Sequence, residues 1–282
     1  MQQNKWFIEE DNKELRFGYA TENKIFSAES EFQKIEIFET KAYGRMLVID
    51  GCVMTTEKDE FVYHEMISHI PTCYHKDPKS VLVIGGGDGG TVRELVKHEC
   101  FEEITLCEID GMVVDVSKEF FPTIAKELNH PKVKVCIEDG IKFIQENKNS
   151  YDIIIIDSTD PIGPGEGLFT NDFYKDVKAA LKTDGLVCIQ SESPWYKKEF
   201  LQKITSNLSS AFKTIRPYVG SVATYPRGLW SWTLATNDKQ GLNFAEERFS
   251  KISKNLNYLT FTQAKYIFDI IPPFYRKKLN LK

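Results

Sequence analysis

Over the first sixty residues, apolar and polar positions alternate with the period of a half-buried strand. Phe32-Gln33-Lys34-Ile35-Glu36-Ile37-Phe38 is one such run, and Arg45-Met46-Leu47-Val48-Ile49 is another. The second closes on Asp50-Gly51, a dipeptide that favours a tight hairpin turn. From Lys79 the pattern changes to short apolar runs at 80–84, 103–107, 133–137, 151–156 and 186–190, separated by stretches of helical period. Strands that alternate with helices predict a parallel sheet covered on both faces. Two further β-rich stretches, near 214–219 and 229–235, are expected to close that sheet, followed by an amphipathic segment at 244–253 and a break at Pro272-Pro273. Glu60 to Ile70 reads as a helix, with Pro71 and Pro78 punctuating the approach to the first parallel strand. The predicted class is α/β, a mostly parallel sheet flanked by helices, preceded by a small antiparallel β domain. The division falls as residues 1–62 and 63–282, with neither repeats nor a low-complexity linker between them.

The chain has 282 residues, 41% hydrophobic and 27% charged, enough for one large domain and a small one. A net charge of −5 argues against a nucleic-acid surface, which needs clustered Lys and Arg, and suits cationic small molecules better. None of the six cysteines forms a CxxC pair, and Cys107, Cys136 and Cys188 fall in apolar runs, so they read as reduced core residues. Met1-Gln2-Gln3-Asn4-Lys5 does not resemble a signal peptide, and no apolar run approaches the roughly 18 residues of a membrane span. A cytoplasmic location is the expectation. Trp6, Trp195, Trp230 and Trp232 read mainly as core, with a role lining a substrate channel as the alternative.

Gly85-Gly86-Gly87-Asp88-Gly89-Gly90 follows the first parallel strand and satisfies GxGxxG, which alone is a weak sign of nucleotide binding. Asp88 is the informative departure. A pyrophosphate in that loop would face its charge, and two like charges at roughly 4 Å cost about 4 kcal/mol at an effective dielectric near 20. The loop therefore suits a ligand that presents a cation, although Asp88 also reads as a helix cap.

Ligands in open α/β sheets bind beyond the carboxyl ends of the strands, and here those ends are acidic: Asp88, Glu108, Glu138-Asp139, Asp157 and Asp160. Carboxylates converging in a cleft repel unless a ligand brings positive charge. Glu108, about twenty residues after the loop, is placed to accept ribose hydroxyls of a nucleoside. Asp139-Gly140 suits an adenine edge or a helix N-cap, the two being compatible. Asp157-Ser158-Thr159-Asp160-Pro161 puts two carboxylates three residues apart and is the strongest acid/base candidate. Ile162 to Gly167, rich in glycine, reads as a lid over the cleft.

YHEM at 63–66, GGGDGG at 85–90, CEID at 107–110, DSTDPIGP at 157–164 and TYPRG at 224–228 together resemble the polyamine aminopropyltransferases, the family of the spermidine synthases. The resemblance covers nearly the whole chain. It implies a Rossmann-like domain similar to methyltransferases behind a small N-terminal β domain that closes over the diamine site and makes oligomer contacts. It also implies a homodimer or homotetramer, with the dimer preferred. The family's reaction moves an aminopropyl group from decarboxylated S-adenosylmethionine, a co-substrate rather than a prosthetic group, to putrescine, giving spermidine and 5′-methylthioadenosine. By motif, Asp157 is the general base. Tyr63, His64, Ser158, Thr159, Asp160 and Tyr225 line the amine site, and Asp88 holds the amino end of the aminopropyl chain. Gln33, Gly85, Gly87, Glu108, Asp139, Gly140 and Pro164 surround the nucleoside, with Gln190 and Glu192 reaching the same cleft.

The chemistry is consistent with this. An alkyl amine with a pKa near 10.4 is free base in only about one molecule in two thousand at pH 7, so it needs a base before it attacks. No metal is required. His64 and His69 evoke HExxH, but their spacing of five swings one imidazole roughly 140° from the other around a helix. Acceptors other than putrescine, namely cadaverine, agmatine or spermidine, stay open. So do a methyltransferase, which would welcome the methionine carboxylate, and a non-catalytic polyamine-binding protein, which would not need Glu108. An NAD-dependent dehydrogenase is disfavoured by Asp88.

Overall fold

The computed structural model describes residues 5–10, 15–159, 163–195, 198–238 and 241–278. Among these, the N-terminal alternation becomes a five-stranded antiparallel sheet of β1 (Lys5–Glu10), β2 (Arg16–Glu29), β3 (Lys34–Thr40), β4 (Gly44–Ile49) and β5 (Cys52–Thr56), in that spatial order. Asp50 and Gly51 turn β4 into β5 with φ of 49° and 82°, the left-handed geometry that this dipeptide tolerates.

The second sheet contains β6 (Ser80–Gly85), β7 (Glu103–Glu108), β8 (Val133–Ile137), β9 (Tyr151–Asp157), β10 (Leu181–Gln190), β11 (Thr214–Gly220) and β12 (Trp230–Thr236). Its order is β11-β12-β10-β9-β6-β7-β8. The five strands β6 to β10 run parallel, and β12 and β11 close one side antiparallel, as the sequence pattern predicts. Ile153, Ile154, Ile155 and Ile156 are all wholly buried, because alternate residues face opposite cores. Ile153 and Ile155 pack with Met66, Ile67 and Ile70 of helix α1 (Glu60–Tyr74), whereas Ile154 and Ile156 pack with Phe173 and Val177 on the other face. No helix among the described residues is long and apolar enough to cross a membrane.

Several local features depart from the sequence reading. Helix α1 runs through Pro71 to Tyr74 rather than stopping before it. Proline removes a single N–H, and the deep burial of Ile67, Ile70 and Cys73 outweighs that loss. Strand β10 starts at Leu181, five residues early, with an irregularity in its pairing to β9 between Leu181 and Leu186. Within the stretch Ile162 to Gly167 read as a lid loop, the chain from Gly163 forms a 3-10 helix, Gly163–Phe169, whose Leu168 and Phe169 are buried. Trp230 and Trp232 are core, but Trp6 and Trp195 are 58% and 51% exposed. Trp6 lies on the edge strand β1, and Trp195 packs at a tilt against Phe274, 5.4 Å between ring centres.

The Glu65 carboxylate, fully buried on α1, accepts the backbone N–H groups of Asn257, Tyr258 and Leu259 at 2.6, 3.0 and 2.8 Å. Truncation leaves three donors without an acceptor. Glu65→Ala is expected to destabilise the chain by roughly 3 kcal/mol in urea unfolding. A change below about 0.5 kcal/mol would show that this clamp is dispensable.

Candidate active site

The cleft lies where the sheet reverses its winding, since β6 has β9 on one side and β7 on the other. Its cavity of about 140 Å³ is bordered by the glycine loop, by Glu108, Asp139 and Asp157, and by Leu47, Ile49 and Met54 from the N-terminal sheet. The small domain thus supplies one apolar wall. It is tied down by Tyr225, whose hydroxyl donates to the Met54 carbonyl at 2.7 Å, and by Asp59, whose carboxylate accepts the N–H and hydroxyl of Thr224.

The glycines serve close approach. Gly85 has φ +78°, and a Cβ there would stand 2.3 Å from the Asp157 carbonyl oxygen. At Gly87 a Cβ would meet the Glu108 carboxylate at 2.9 Å, and at Gly140 the Ile84 side chain at 2.5 Å. Asp88 borders the cleft and accepts the Gly90 N–H at 2.8 Å, but the N-cap of the helix Gly90–Val96 is Gly89 in the left-handed conformation, so the expected N-cap position falls one residue later. Asp139 likewise caps the helix Gly140–Glu146 through the Ile141 N–H while bordering the cleft.

Two carboxylates sit in opposed surroundings. Asp157 accepts from the Tyr63 hydroxyl and from the Thr91 hydroxyl, both at 2.6 Å. Burial raises its carboxyl above the ordinary range and the charge of Asp88 raises it further, against a smaller downward pull from His64 and the two hydroxyls. Burial pushes Asp88 upward too, but the His64 charge and hydrogen bond, with the Gly90 N–H, bring it net below the ordinary range. Paired acids whose environments drive them apart are suited to different chemical tasks.

His64 is 3% exposed, with Nδ1 2.5 Å from Glu60 and Nε2 3.3 Å from Asp88. Burial alone would lower its pKa, but Asp88 and then Glu60 reverse this and lift it to about 10. His69 turns elsewhere, to Glu94 and His98 at 2.9 Å each, so the two imidazoles of the HExxH-like run do not converge. The remaining three-residue cluster of metal-ligand type among the described residues, His75, Asp152 and Asp184, lies at the far end of the sheet. There the Lys182 ammonium already stands 3.0 Å from Asp152.

The structure brings together Gln33, Tyr63, His64, Gly85, Gly87, Asp88, Glu108, Asp139, Gly140, Asp157, Ser158, Thr159 and Tyr225 around this one cleft. Asp160 and the side chain of Pro164 lie outside the described residues. Gln190 does not border the cavity but braces it, its amide donating to the Ser158 carbonyl at 3.3 Å; Glu192 is buried just beyond. Sequence reasoning did not single out Thr91, Glu60, Arg93 or Asp110. Asp110 accepts from Ser30 and from Gln33 at 2.6 and 3.0 Å, fixing the Gln33 side chain at the cleft rim. Signals were present in part: Glu60 stands four residues before His64 on a helix, and Thr91 directly follows the glycine loop.

A glycine loop, a carboxylate ending the next strand and a rim of acids at the switch point of a mostly parallel sheet define a Rossmann-like site. The family model described as spermine/spermidine synthase domain matches residues 60–247, and that of the spermidine synthase tetramerisation domain matches residues 5–57. The polyamine aminopropyltransferase of Bacillus cytotoxicus is 41% identical over 271 residues, covering 94% of this chain and 98% of that protein. The corresponding protein of Caldicellulosiruptor bescii is 46% identical over 247 residues, covering 88% and 89%. A crystal structure of spermidine synthase in complex with the transition state analogue AdoDATO superposes with a TM-score of 0.94 at 37% identity, covering 100% of this chain and 98% of that one. Spermidine synthase from Thermotoga maritima superposes at 0.93, also at 37% identity, covering 100% and 96%. The chain belongs to the spermine/spermidine synthase family of polyamine aminopropyltransferases.

Glu108 is 7% exposed and accepts the N–H groups of Gly87 and Asp110 at 3.2 and 3.0 Å, yet burial raises its carboxyl to about 7. The folded chain then keeps a proton that the unfolded chain releases near pH 4.5, so stability falls as pH rises from there to about 7, by roughly 3 kcal/mol. Glu108→Gln abolishes this dependence. The unfolding free energy of the variant relative to the parent is expected to grow by roughly 3 kcal/mol between about pH 4.5 and pH 8. A difference independent of pH in urea titrations would refute it.

Proposed function

We propose that this chain transfers the aminopropyl group of decarboxylated S-adenosylmethionine to putrescine, yielding spermidine and 5′-methylthioadenosine. The observation that carries this reading is the pair Asp88 and Asp157, two partly buried acids that border one cleft from adjacent strand ends, with oppositely shifted carboxyls. A binding protein for polyamines needs acids, but it does not need one poised to take a proton. The likeness to a spermidine synthase bound to AdoDATO supports the choice of co-substrate.

In this reading Glu108 accepts the ribose hydroxyls, Asp139 accepts the adenine amine, and Gln33, Gly85, Gly87, Gly140 and Pro164 shape the nucleoside pocket. Asp88 takes the ammonium of the aminopropyl chain. Putrescine enters beside Tyr63 and Tyr225, whose rings lie 5.7 Å apart, and its reacting nitrogen meets Asp157, with Ser158, Thr159 and Asp160 lining the approach. Asp157, oriented by Tyr63 and Thr91, takes one proton from the ammonium. The freed lone pair forms the new C–N bond, the C–S bond breaks, and its electrons neutralise the sulfonium. Positive charge moves from sulfur to the nitrogen, within the field of the ionised Asp88, so the site stabilises the transition state more than the neutral amine. Asp88 also accounts for refusal of ordinary S-adenosylmethionine, whose α-carboxylate would enter the field of that acid.

The match of residues 5–57 to a tetramerisation domain supports an oligomer, and the exposed Trp6 and Ile8 on edge strand β1 offer apolar surface for one. Six free thiols suit the cytoplasm.

Incubation with decarboxylated S-adenosylmethionine and a panel of amines, read by mass spectrometry, is expected to give methylthioadenosine and spermidine from putrescine. Asp157→Asn should lower kcat by about 10²-fold or more. Product only from another amine would move the acceptor, and no product from any would discard the transferase reading. Asp88→Asn should weaken the decarboxylated donor and narrow its preference over S-adenosylmethionine in calorimetry. An unchanged affinity ratio would remove Asp88 from donor selection.

A further inference from the structure

His64 borders the cleft, but neither of its ring nitrogens is free for a substrate. Each faces a carboxylate oxygen, Glu60 at 2.5 Å and Asp88 at 3.3 Å. An ionised carboxylate only accepts, so a ring between two of them donates from both nitrogens, and only the imidazolium can do that. Both acids are held in the ionised form from behind. Arg93 grips Glu60 through two parallel bonds of 2.7 and 2.8 Å, and Gly90 donates its N–H to Asp88. The slot for the ring depends on Gly90 lacking a side chain, since a Cβ there would overlap the imidazole at 2.2 Å from Cε1. Asp157, by contrast, is held by two neutral hydroxyls.

We propose that His64 is a fixed imidazolium that positions Asp88 and divides the labour between the two acids, keeping Asp88 an anion for the donor's ammonium and leaving Asp157 to take the proton. The division rests on the aminopropyl-transfer reading above; the charge of the ring does not. Glu60 and Arg93 act as positioning residues for the ring. The groups facing it are Glu60 and Tyr63 on α1, Asp88 in the glycine loop, Asp157 at the end of β9, and Arg93 from the next helix through Glu60. The upward shift of the His64 pKa and the downward shift of Asp88 run in the direction this arrangement requires. Without the cation, Asp88 and Asp157 would face each other uncompensated, and both carboxyls would rise. The acid limb of the reaction would then move to higher pH, because the donor's ammonium and the incoming amine both need ionised partners.

The ring is examined first in the ligand-free protein. Long-range ¹H–¹⁵N correlation spectra, with His64 assigned by its loss in His64→Gln, are expected to show both nitrogens protonated from about pH 6 to about pH 8. A neutral ring anywhere in that range overturns the proposal. The second measurement is kinetic. Gln keeps a donor for Asp88 but carries no charge, so His64→Gln should shift the acid limb of kcat/KM upward by about one pH unit and weaken donor binding about tenfold. Glu60→Gln should shift the limb in the same direction by less. A uniform loss of kcat with an unmoved limb would mean that His64 is merely structural and would overturn the division of roles. If no amine is a substrate, the transfer reading fails while the spectra still decide the charge of the ring.

Discussion

Like charges brought together in a cleft with little water are the constraint on which the rest of the site depends. Asp88, Glu108 and Asp157 all border one cavity and all lose hydration there. Each is answered differently. Glu108 is met by two backbone N–H groups and stays raised, Asp157 is met by two hydroxyls, and Asp88 by a cation and an N–H. The glycine loop, whose absent side chains admit the His64 ring and the Glu108 carboxylate, is as much a device for packing charges as for approaching a nucleoside.

Behind the cleft, opposite charges alternate in contact, from Asp88 to His64, Glu60, Arg93, Glu94 and Lys97. Buried ion pairs gain little net stability, because each charge must first lose water. Their value here lies in geometry. A carboxylate gripped by a two-pronged guanidinium has one orientation, and it passes that orientation to the imidazole and then to Asp88. The backing is continuous from a polar second cleft of about 600 Å³, bordered by Glu60, Arg93, Glu94 and Lys97, to the wall of the first cleft at His64 and Asp88.

Much of the fold is legible because it is written in local period. Continuous apolar runs gave the parallel strands, and alternation gave β3 and β4 of the N-terminal sheet, whereas β1 and the long β2 were not singled out. The acids of the site are legible for a related reason, since each ends a strand and strand ends in such sheets converge. What stays hidden depends on partners distant in sequence. Asp110 looks like an ordinary cap until Ser30 and Gln33, some eighty residues earlier, bond to it. Arg93 looks like a solvated helix residue until Glu60 meets it. Pro71 misleads in the opposite sense, because a local stop signal is overridden by tertiary burial.

The inner face of the small sheet carries a consequence for how the chain is made. Ile35, Ile37, Leu47 and Ile49 are buried against Val113, Val116, Phe121 and Ile124 of the following domain, not against one another alone. A ribosome that has finished β5 has therefore produced a sheet with a bare apolar face and nothing to cover it. At ordinary synthesis rates the covering residues follow on the order of ten seconds later. For that interval the small sheet cannot complete its packing, because half of its core has yet to be synthesised.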